Sequence, residues 1–269
     1  MASPLPPNVH RSTHPCLQAK LSQLRSATSN ARETKALVHE IALIVGCEAL
    51  AAGLSTKSGS KSKTPLGYEF TTTEISPSTI SLVPILRSGL GMLDAIQTLL
   101  PLPVPVHHLG LFREPTTLEP VEYYNNLPYH APAAGTPSNA PNANASELAI
   151  LLDPPVEYYN NLPYHAPAAG TPSNAPNANA SELAILLDPV IATGGTAAAA
   201  IQTLKEWGVK RVIVISILGA LPGLEKAAGE WPEGVEIWTA GVDESINEKG
   251  MIKPGLGDVG DRLFLTIGK

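Results

Sequence analysis

Three short runs set the pattern of this chain: ISLVPIL at 80–86, LAILL at 183–187 and RVIVISIL at 211–218. Each is apolar almost end to end, without the alternation that would leave one face to water. Each therefore predicts a strand buried on both faces. Such strands need helices on either side, and the stretches between them supply candidates. LDAIQTLL (93–100, ended by Pro101), GTAAAAIQTLKEW (195–207) and PGLEKAAGEW (222–231) read as helices, whereas VPVHHLGLF (104–112) and VEIWTAGV (235–242) read as further strands. Nearer the start, residues 30–52 place Leu37, Val38, Ile41, Ile44, Val45 and Ala49 on one helical stripe, with Gly53 as its stop. The polar stretch STKSGSKSK (55–63) reads as a flexible, positively charged loop. Strand and helix alternate, with short Gly- or Pro-containing joints. That order predicts an α/β fold, a mostly parallel sheet flanked by helices.

One stretch occurs twice. Residues 120–154, PVEYYNNLPYHAPAAGTPSNAPNANASELAILLDP, are repeated letter for letter as 155–189, an offset of 155 − 120 = 35 residues. Two identical copies found nowhere else point to one duplication event rather than to a solenoid, which needs about three or more stacked units. The Pro-, Asn- and Ala-rich middle has no helical or strand period and reads as loop. Lengthening a loop from about 20 to 55 residues costs only about 1 kcal/mol, so the fold tolerates it. The spare LAILL, at 148–152, is the liability, an apolar strand without a place.

The remaining composition excludes more than it assigns. A formal charge of −6 over 269 residues gives no reason to expect nucleic acid as a partner. Cys16 and Cys47 are too few and too badly spaced for a disulfide framework or a Cys-based metal site. No run of about 18 or more apolar residues suggests a membrane span. The opening MASPLPPNVHRSTHPC lacks the basic and apolar regions of a secretory signal, so the expected compartment is the cytoplasm and NAS at Asn144 and Asn179 reads as loop sequence.

Three segments are suited to chemistry. In LLDPVIATGGTAAAA (186–200) an apolar strand ends in Asp188, passes through a Thr/Gly turn and enters a helix near Gly195. The free N–H groups and dipole of a helix start favour an anion. Gly194 and Gly195 let the backbone wrap a phosphate, Thr193 and Thr196 offer hydroxyls, and Asp188 sits where α/β sheets place ligands. A carboxylate beside a phosphate cradle suits a sugar phosphate; an ordinary β–α turn is the bland alternative. Only the second copy can serve, because the first runs from Asp153 into Pro154 and Pro155 and lacks the backbone donors. In VPILRSGLGM (83–92), Arg87 follows a buried strand on a Gly-containing turn, suited to pyrophosphate or to a surface salt bridge. GMIKPGLGDVGDRLF (250–264) gathers glycines and aspartates with little regular structure, fit either to read the edge of a flat heterocycle or to form a capped C-terminal loop.

Taken together, these motifs resemble the uracil phosphoribosyltransferases, of the type I phosphoribosyltransferase fold. HPCLQAKLSQLR (14–25), TPL (64–66), VPILRSGLGM, LGLFREPTTLEPVEYY (109–124), LLDPVIATGGTA, DESINEKG (243–250) and PGLGDVGDRLF (254–264) follow in family order over nearly the whole chain. The resemblance implies a β-hairpin arm, a C-terminal base-binding segment and one phosphoribosyltransferase domain over 1–269, in which 120–189 holds both copies. The hairpin is expected to use 121–124 and the site strand 183–187, with the rest looped out. Val156, Glu157, Tyr158 and Tyr159 are an equally matched alternative for the hairpin.

The resemblance also implies a reaction: uracil and phosphoribosyl pyrophosphate (PRPP) give UMP and pyrophosphate in pyrimidine salvage. It assigns Asp188 to the ribose hydroxyls, with Pro189, Val190 and Ile191 leading into Ala192, Thr193, Gly194, Gly195 and Thr196, which hold the 5′-phosphate. Arg87 and Arg113 match the two arginines at the pyrophosphate side. Ala192, Ile252, Gly257 and Val259 match uracil contacts, and Asp258 the aspartate linking substrate, water and metal. Mg²⁺ would be held through PRPP and water with no direct protein ligand. Family members form homodimers or homotetramers, some with GTP as an allosteric activator. The chain departs from the pattern at Met251 (usually tyrosine), Lys253 (usually aliphatic), Thr34 and Lys35 (usually Phe-Arg) and Cys47 (usually aromatic). The competing readings are a catalytically silent nucleotide-binding or regulatory relative and an enzyme impaired by its duplication.

Overall fold

The computed structural model describes residues 4–114, 117, 119–128 and 180–266. In chain order the elements are β1 (Val9–Arg11), α1 (Pro15–Leu24), α2 (Ala31–Gly53), β2 (Ser55–Lys63), β3 (Glu69–Ser76), β4 (Ile80–Leu86), α3 (Leu90–Leu99), β5 (Leu109–Arg113) and β6 (Pro120–Asn125). After the repeat come β7 (Leu183–Leu187), β8 (Val190–Ile191), α4 (Gly195–Trp207), β9 (Arg211–Ala220), α5 (Leu221–Glu230), β10 (Val235–Asp243), β11 (Ser245–Ile246), β12 (Ile252–Lys253) and α6 (Val259–Phe264).

The main sheet runs β1-β10-β9-β7-β4-β5-β6, with β8 alongside β9. Every pairing in it is parallel except the β5–β6 hairpin. The apolar runs occupy its centre. Leu183, Ile185 and Leu187 of β7 face a cluster built with α1, α2 and α3. Ala184 and Leu186 face the opposite one, with α4 and α5. The same division separates Ile213, Ile215 and Ile217 from Val212 and Val214 on β9. Two buried faces are why these strands need no polar alternation.

The long helix α2 starts at a full capping box. Asn30 accepts from the Glu33 backbone N–H, and the Glu33 carboxylate accepts from the Asn30 N–H. Val38, Ile41, Val45 and Ala49 of the expected stripe are buried, whereas Leu37 and Ile44 are half-buried. This helix is long and apolar enough to cross a membrane by length and composition, but half of its apolar window is buried inside the fold. Thr34, in its first turn, is fully buried and its hydroxyl has no hydrogen-bond partner among the described residues.

Two expectations need correction. The polar stretch 55–63 is strand β2, paired antiparallel with β3 from Ser55↔Ser76 to Lys63↔Glu69. Its regularity comes from that pairing, because nearly every residue in it is exposed and none reports a buried face. The strand expected over 104–112 shortens to β5 at Leu109, with Val106 making only an isolated bridge to Leu82. The hairpin strand β6 is drawn from the first copy of the repeat and the central strand β7 from the second. The expected looped-out segment lies outside the described residues.

Candidate active site

The carboxyl ends of β4 and β7 open into one cleft of about 360 Å³. Its walls come from five parts of the chain: Ile85 and Leu86 at the end of β4 with Ser88 just beyond it; Leu111 on β5; Asp188 to Ala197 in part; Leu218 on β9; and 250–260 in part. The crevice beyond the carboxyl ends of a parallel sheet is where such folds bind ligands.

The loop from Asp188 is fixed from below. Pro189 O accepts the N–H groups of Ile217 and Leu218 and the Ser216 hydroxyl, so β9 holds its base. Asp188 is 6% exposed, and its backbone N–H donates to Ile215 O. Gly194 has φ +78°, the left-handed region that glycine enters without strain. A Cβ there would stand 2.2 Å from the Gly223 carbonyl oxygen, so the turn needs glycine for space as well. Gly195 then opens α4, leaving the first backbone N–H groups of the helix without intrahelical acceptors. Thr193 Oγ1 is buried at this turn and has no hydrogen-bond partner among the described residues. Asp188, Val190, Ile191, Ala192, Gly194 and Thr196 line the cleft. Pro189, Thr193 and Gly195 belong to the same turn without lining it.

The opposite wall is held by two arginines. Arg25, just past α1, forks onto Asp243 with Nη1–Oδ2 2.8 Å and Nη2–Oδ1 2.6 Å, and its Nη1 also donates to Gly255 O at 2.7 Å. Asp243 accepts the Gly255 N–H as well, at 3.0 Å. Arg262 donates to Leu24 O, Leu256 O and Ser26 O. Burial draws the Arg262 pKa below the ordinary arginine value. Together they tie the turn at 255–257 to the end of α1. Ile252, Gly257, Asp258 and Val259 then line the cleft beside Met251.

Residues 250–264, expected to be nearly without regular structure, contain β12 and end in α6. Asp258 is the N-cap of α6, its Oδ1 accepting the Asp261 N–H at 3.0 Å. The capping and the ligand-facing readings of this aspartate therefore meet in one residue, which both caps a helix and borders the cleft. Arg87 lies on the turn after β4 but does not line the cleft. Its guanidinium reaches Thr266 Oγ1 at 3.1 Å and Asp261 Oδ1 at 3.3 Å. Arg113 ends β5, its backbone in register with Pro120; its side chain lies outside the described residues.

Sequence reasoning missed Arg25, Asp243, Arg262 and Gly223 as supports of the site. Arg25 and Asp243 are 218 residues apart, and no local pattern joins them. The available signal was that Arg25, Asp243 and Arg262 fall inside the quoted HPCLQAKLSQLR, DESINEKG and PGLGDVGDRLF, without anything local that pairs them.

A family model described as uracil phosphoribosyltransferase matches residues 11–155 and 140–266. The chain belongs to this family. A uracil phosphoribosyltransferase of Thermoanaerobacter sp. is 34% identical over 259 residues, covering 96% of this chain and 98% of the relative. One of Roseiflexus sp. is 34% identical over 262 residues, covering 95% and 97%. Among solved structures, a protein of Aquifex aeolicus is similar with TM-score 0.72 at 25% identity, over 96% of this chain and 98% of the other. Membership makes the chain a phosphoribosyltransferase by family and fold, and the glycine-lined cleft is the candidate site of that chemistry. The two family matches overlap at 140–155, across the end of the first repeat copy.

Proposed function

We propose that this protein transfers the phosphoribosyl group of PRPP to N1 of uracil, releasing pyrophosphate and forming UMP. The observation that carries the reading is the cleft in which the Asp188 loop and the 250–260 segment face each other. Asp188 takes the ribose hydroxyls, and the turn of Ala192, Thr193, Gly194, Gly195 and Thr196 takes the 5′-phosphate. Ala192, Ile252, Gly257 and Val259 contact uracil. The bond from C1 to the pyrophosphate oxygen breaks as the C1–N1 bond forms, and the N1 proton passes to Asp258, directly or through water. Asp258 Oδ1 already caps α6, so Oδ2 is the oxygen offered to substrate. Arg87 and Arg113 receive the charge of the departing pyrophosphate. Arg87 gives up its contact with Asp261 to do so; both side chains are well exposed, and such a pair contributes about 1 kcal/mol at most. Catalysis is then positioning plus electrostatic stabilisation of the leaving group.

Mg²⁺ travels with PRPP in this reading. Among the described residues no group of three or more His, Cys, Asp or Glu is placed to hold a metal ion. The cleft lining offers two carboxylates, Asp188 and Asp258, a set suited to a cation already carried by phosphate oxygens and water. The ion supplies charge neutralisation to pyrophosphate. A homodimer or homotetramer, GTP activation and a cytoplasmic location belong to the same proposal. The exposed apolar tip formed by Leu66, Tyr68 and Phe70 at the β2–β3 hairpin supports self-association. Sedimentation and a GTP titration of activity test these parts.

The test of the reaction is UMP formation from uracil and PRPP with Mg²⁺, for the full chain and for a chain lacking 120–154. Because the copies are identical, removing either one gives the same product of 269 − 35 = 234 residues. Turnover by both makes the second copy a tolerated insertion, and turnover by the short chain alone makes it a lesion. Two folded, inactive proteins would sink the enzyme reading in favour of a silent nucleotide binder. Replacing Asp258 by Asn is expected to lower turnover about 100-fold, and full turnover would remove its proposed role.

A further inference from the structure

The helix α5 meets the phosphate turn through a residue with no side chain. A Cβ on Gly223 would lie 2.1 Å from Ala192 O and 3.0 Å from Gly194 N, so the first turn of α5 is pressed against the loop backbone. Residues three apart share a helix face, which puts Lys226 on the side of α5 that Gly223 presents to the loop. The Lys226 Nζ lies 3.8 Å from the point where a Cβ of Gly195 would stand, at the first residue of α4. Thr193 Oγ1 lies 3.8 Å from that same point, and Pro120 Cδ closes another side at 3.5 Å. The Thr193 hydroxyl is buried without a partner among the described residues. Among the described residues Lys226 has no ion-pair partner either. From Asp188 to Thr196 the turn itself contains no lysine or arginine. An ammonium, an orphaned hydroxyl and the open N–H groups of a helix thus converge on one point above a glycine.

We infer that Lys226 is a further binding residue for the 5′-phosphate of the substrate, an inference that rests on the proposed function. A phosphomonoester carries close to two negative charges at neutral pH. Backbone N–H groups and threonine hydroxyls satisfy its oxygens, and Lys226 supplies the full positive charge that the turn lacks. Gly195 matters for the same reason, since a side chain there would stand between the ammonium and the helix end. The contact is ionic and breaks no bond.

Two probes separate this role from general electrostatics: ribose 5-phosphate, which carries the 5′-phosphate, and inorganic pyrophosphate, which does not. Each is titrated as a competitor of PRPP in the UMP assay of the full chain. Lys226→Ala is expected to raise the inhibition constant of ribose 5-phosphate about fivefold, and KM for PRPP by a similar factor. The inhibition constant of pyrophosphate stays where it is. Lys226→Arg restores the affinity, and high salt erodes the difference. Lys205→Ala, which removes the same charge from the far end of α4, leaves both constants alone. Unchanged ribose 5-phosphate inhibition in Lys226→Ala, or parallel weakening of both competitors, overturns the inference. If the wild-type chain makes no UMP, the proposed function is what fails. Calorimetric titration of ribose 5-phosphate into wild type and Lys226→Ala then still decides the role of Lys226, with equal affinities overturning it.

Discussion

Adding one methyl group at Gly223 tests how far the phosphate turn depends on the helix behind it. A Cβ there stands 2.1 Å from Ala192 O, against about 3.4 Å for ordinary contact, so the two backbones must separate by about 1.3 Å. No flexible side chain can absorb that distance, because the nearest atoms at Ala192 and Gly194 are both backbone. The turn proposed to hold the 5′-phosphate must move. A misplacement of about 1 Å in a binding constellation costs up to about 100-fold in rate. The expected result for Gly223→Ala is a fall in kcat/KM for PRPP of about 30- to 100-fold, with a stability loss of about 1–3 kcal/mol from overpacking. Gly229, on the same helix, is the control, since a Cβ there meets nothing within 4 Å. Gly229→Ala is expected to stabilise by about 0.5–1 kcal/mol through helix propensity and to keep wild-type kinetics. Steady-state UMP formation and thermal unfolding on both variants make the comparison. Gly223→Ala with the PRPP kinetics of Gly229→Ala would refute the claim that α5 positions the turn.

Arg25→Ala strips a nearly buried carboxylate of its forked partner and frees the Gly255 turn. A loss of about 2–3 kcal/mol is expected in thermal unfolding, with KM for uracil rising more than KM for PRPP; equal rises would contradict the assignment of that turn to the base. Thr34→Val removes a fully buried hydroxyl without a partner while keeping the side-chain shape, and should stabilise by about 1 kcal/mol in urea titration; a destabilised variant would show that the hydroxyl is satisfied. His107 is held below its ordinary pKa of 6.5, first by burial and then by the neighbouring His108. The unfolded chain therefore binds more protons just below pH 6.5, and the stability contributed by neutral His107 is full above that pH and lost as pH falls through the window below it. His107→Phe keeps the edge contact with Trp207 and should flatten that part of the Tm–pH curve, an outcome ruled out if the slopes match.

The central sheet could be read from the sequence because burial on both faces leaves no other use for LAILL or RVIVISIL. The phosphate turn was equally visible, since strand, glycines and helix start follow one another without a break. Strand β2 was hidden for the converse reason: STKSGSKSK buries almost nothing, and only its ladder with β3 makes it a strand. The base wall was half visible. Its glycines and aspartates are local, but the Arg25 fork that fixes them arrives from the other end of the chain. Lys226 lay inside a stretch read as a helix, yet its use depends on Gly223 touching a loop some thirty residues earlier.

The repeat poses the one choice that side chains cannot make, because both copies present the same residues to β5. Chain connectivity separates them. From Arg113, the hairpin strand at Pro120 is reached across residues 114–119, a turn closed by Glu114 N donating to Glu119 O at 2.9 Å. The same strand at Pro155 would be reached across residues 114–154. By the logarithmic closure law, going from 6 to 41 connecting residues costs about 1.7 kcal/mol, roughly a 20-fold preference for the first copy. At the other end the preference reverses. The LAILL of the second copy runs straight into Asp188 and the phosphate turn, whereas the first would set 35 residues between strand and turn. One copy is thus selected for its beginning and the other for its end, the arrangement seen in β6 and β7. A duplication that starts in a hairpin strand and stops at the edge of a phosphate loop leaves each functional junction intact once, which is how identical sequence can occupy two different roles in one fold.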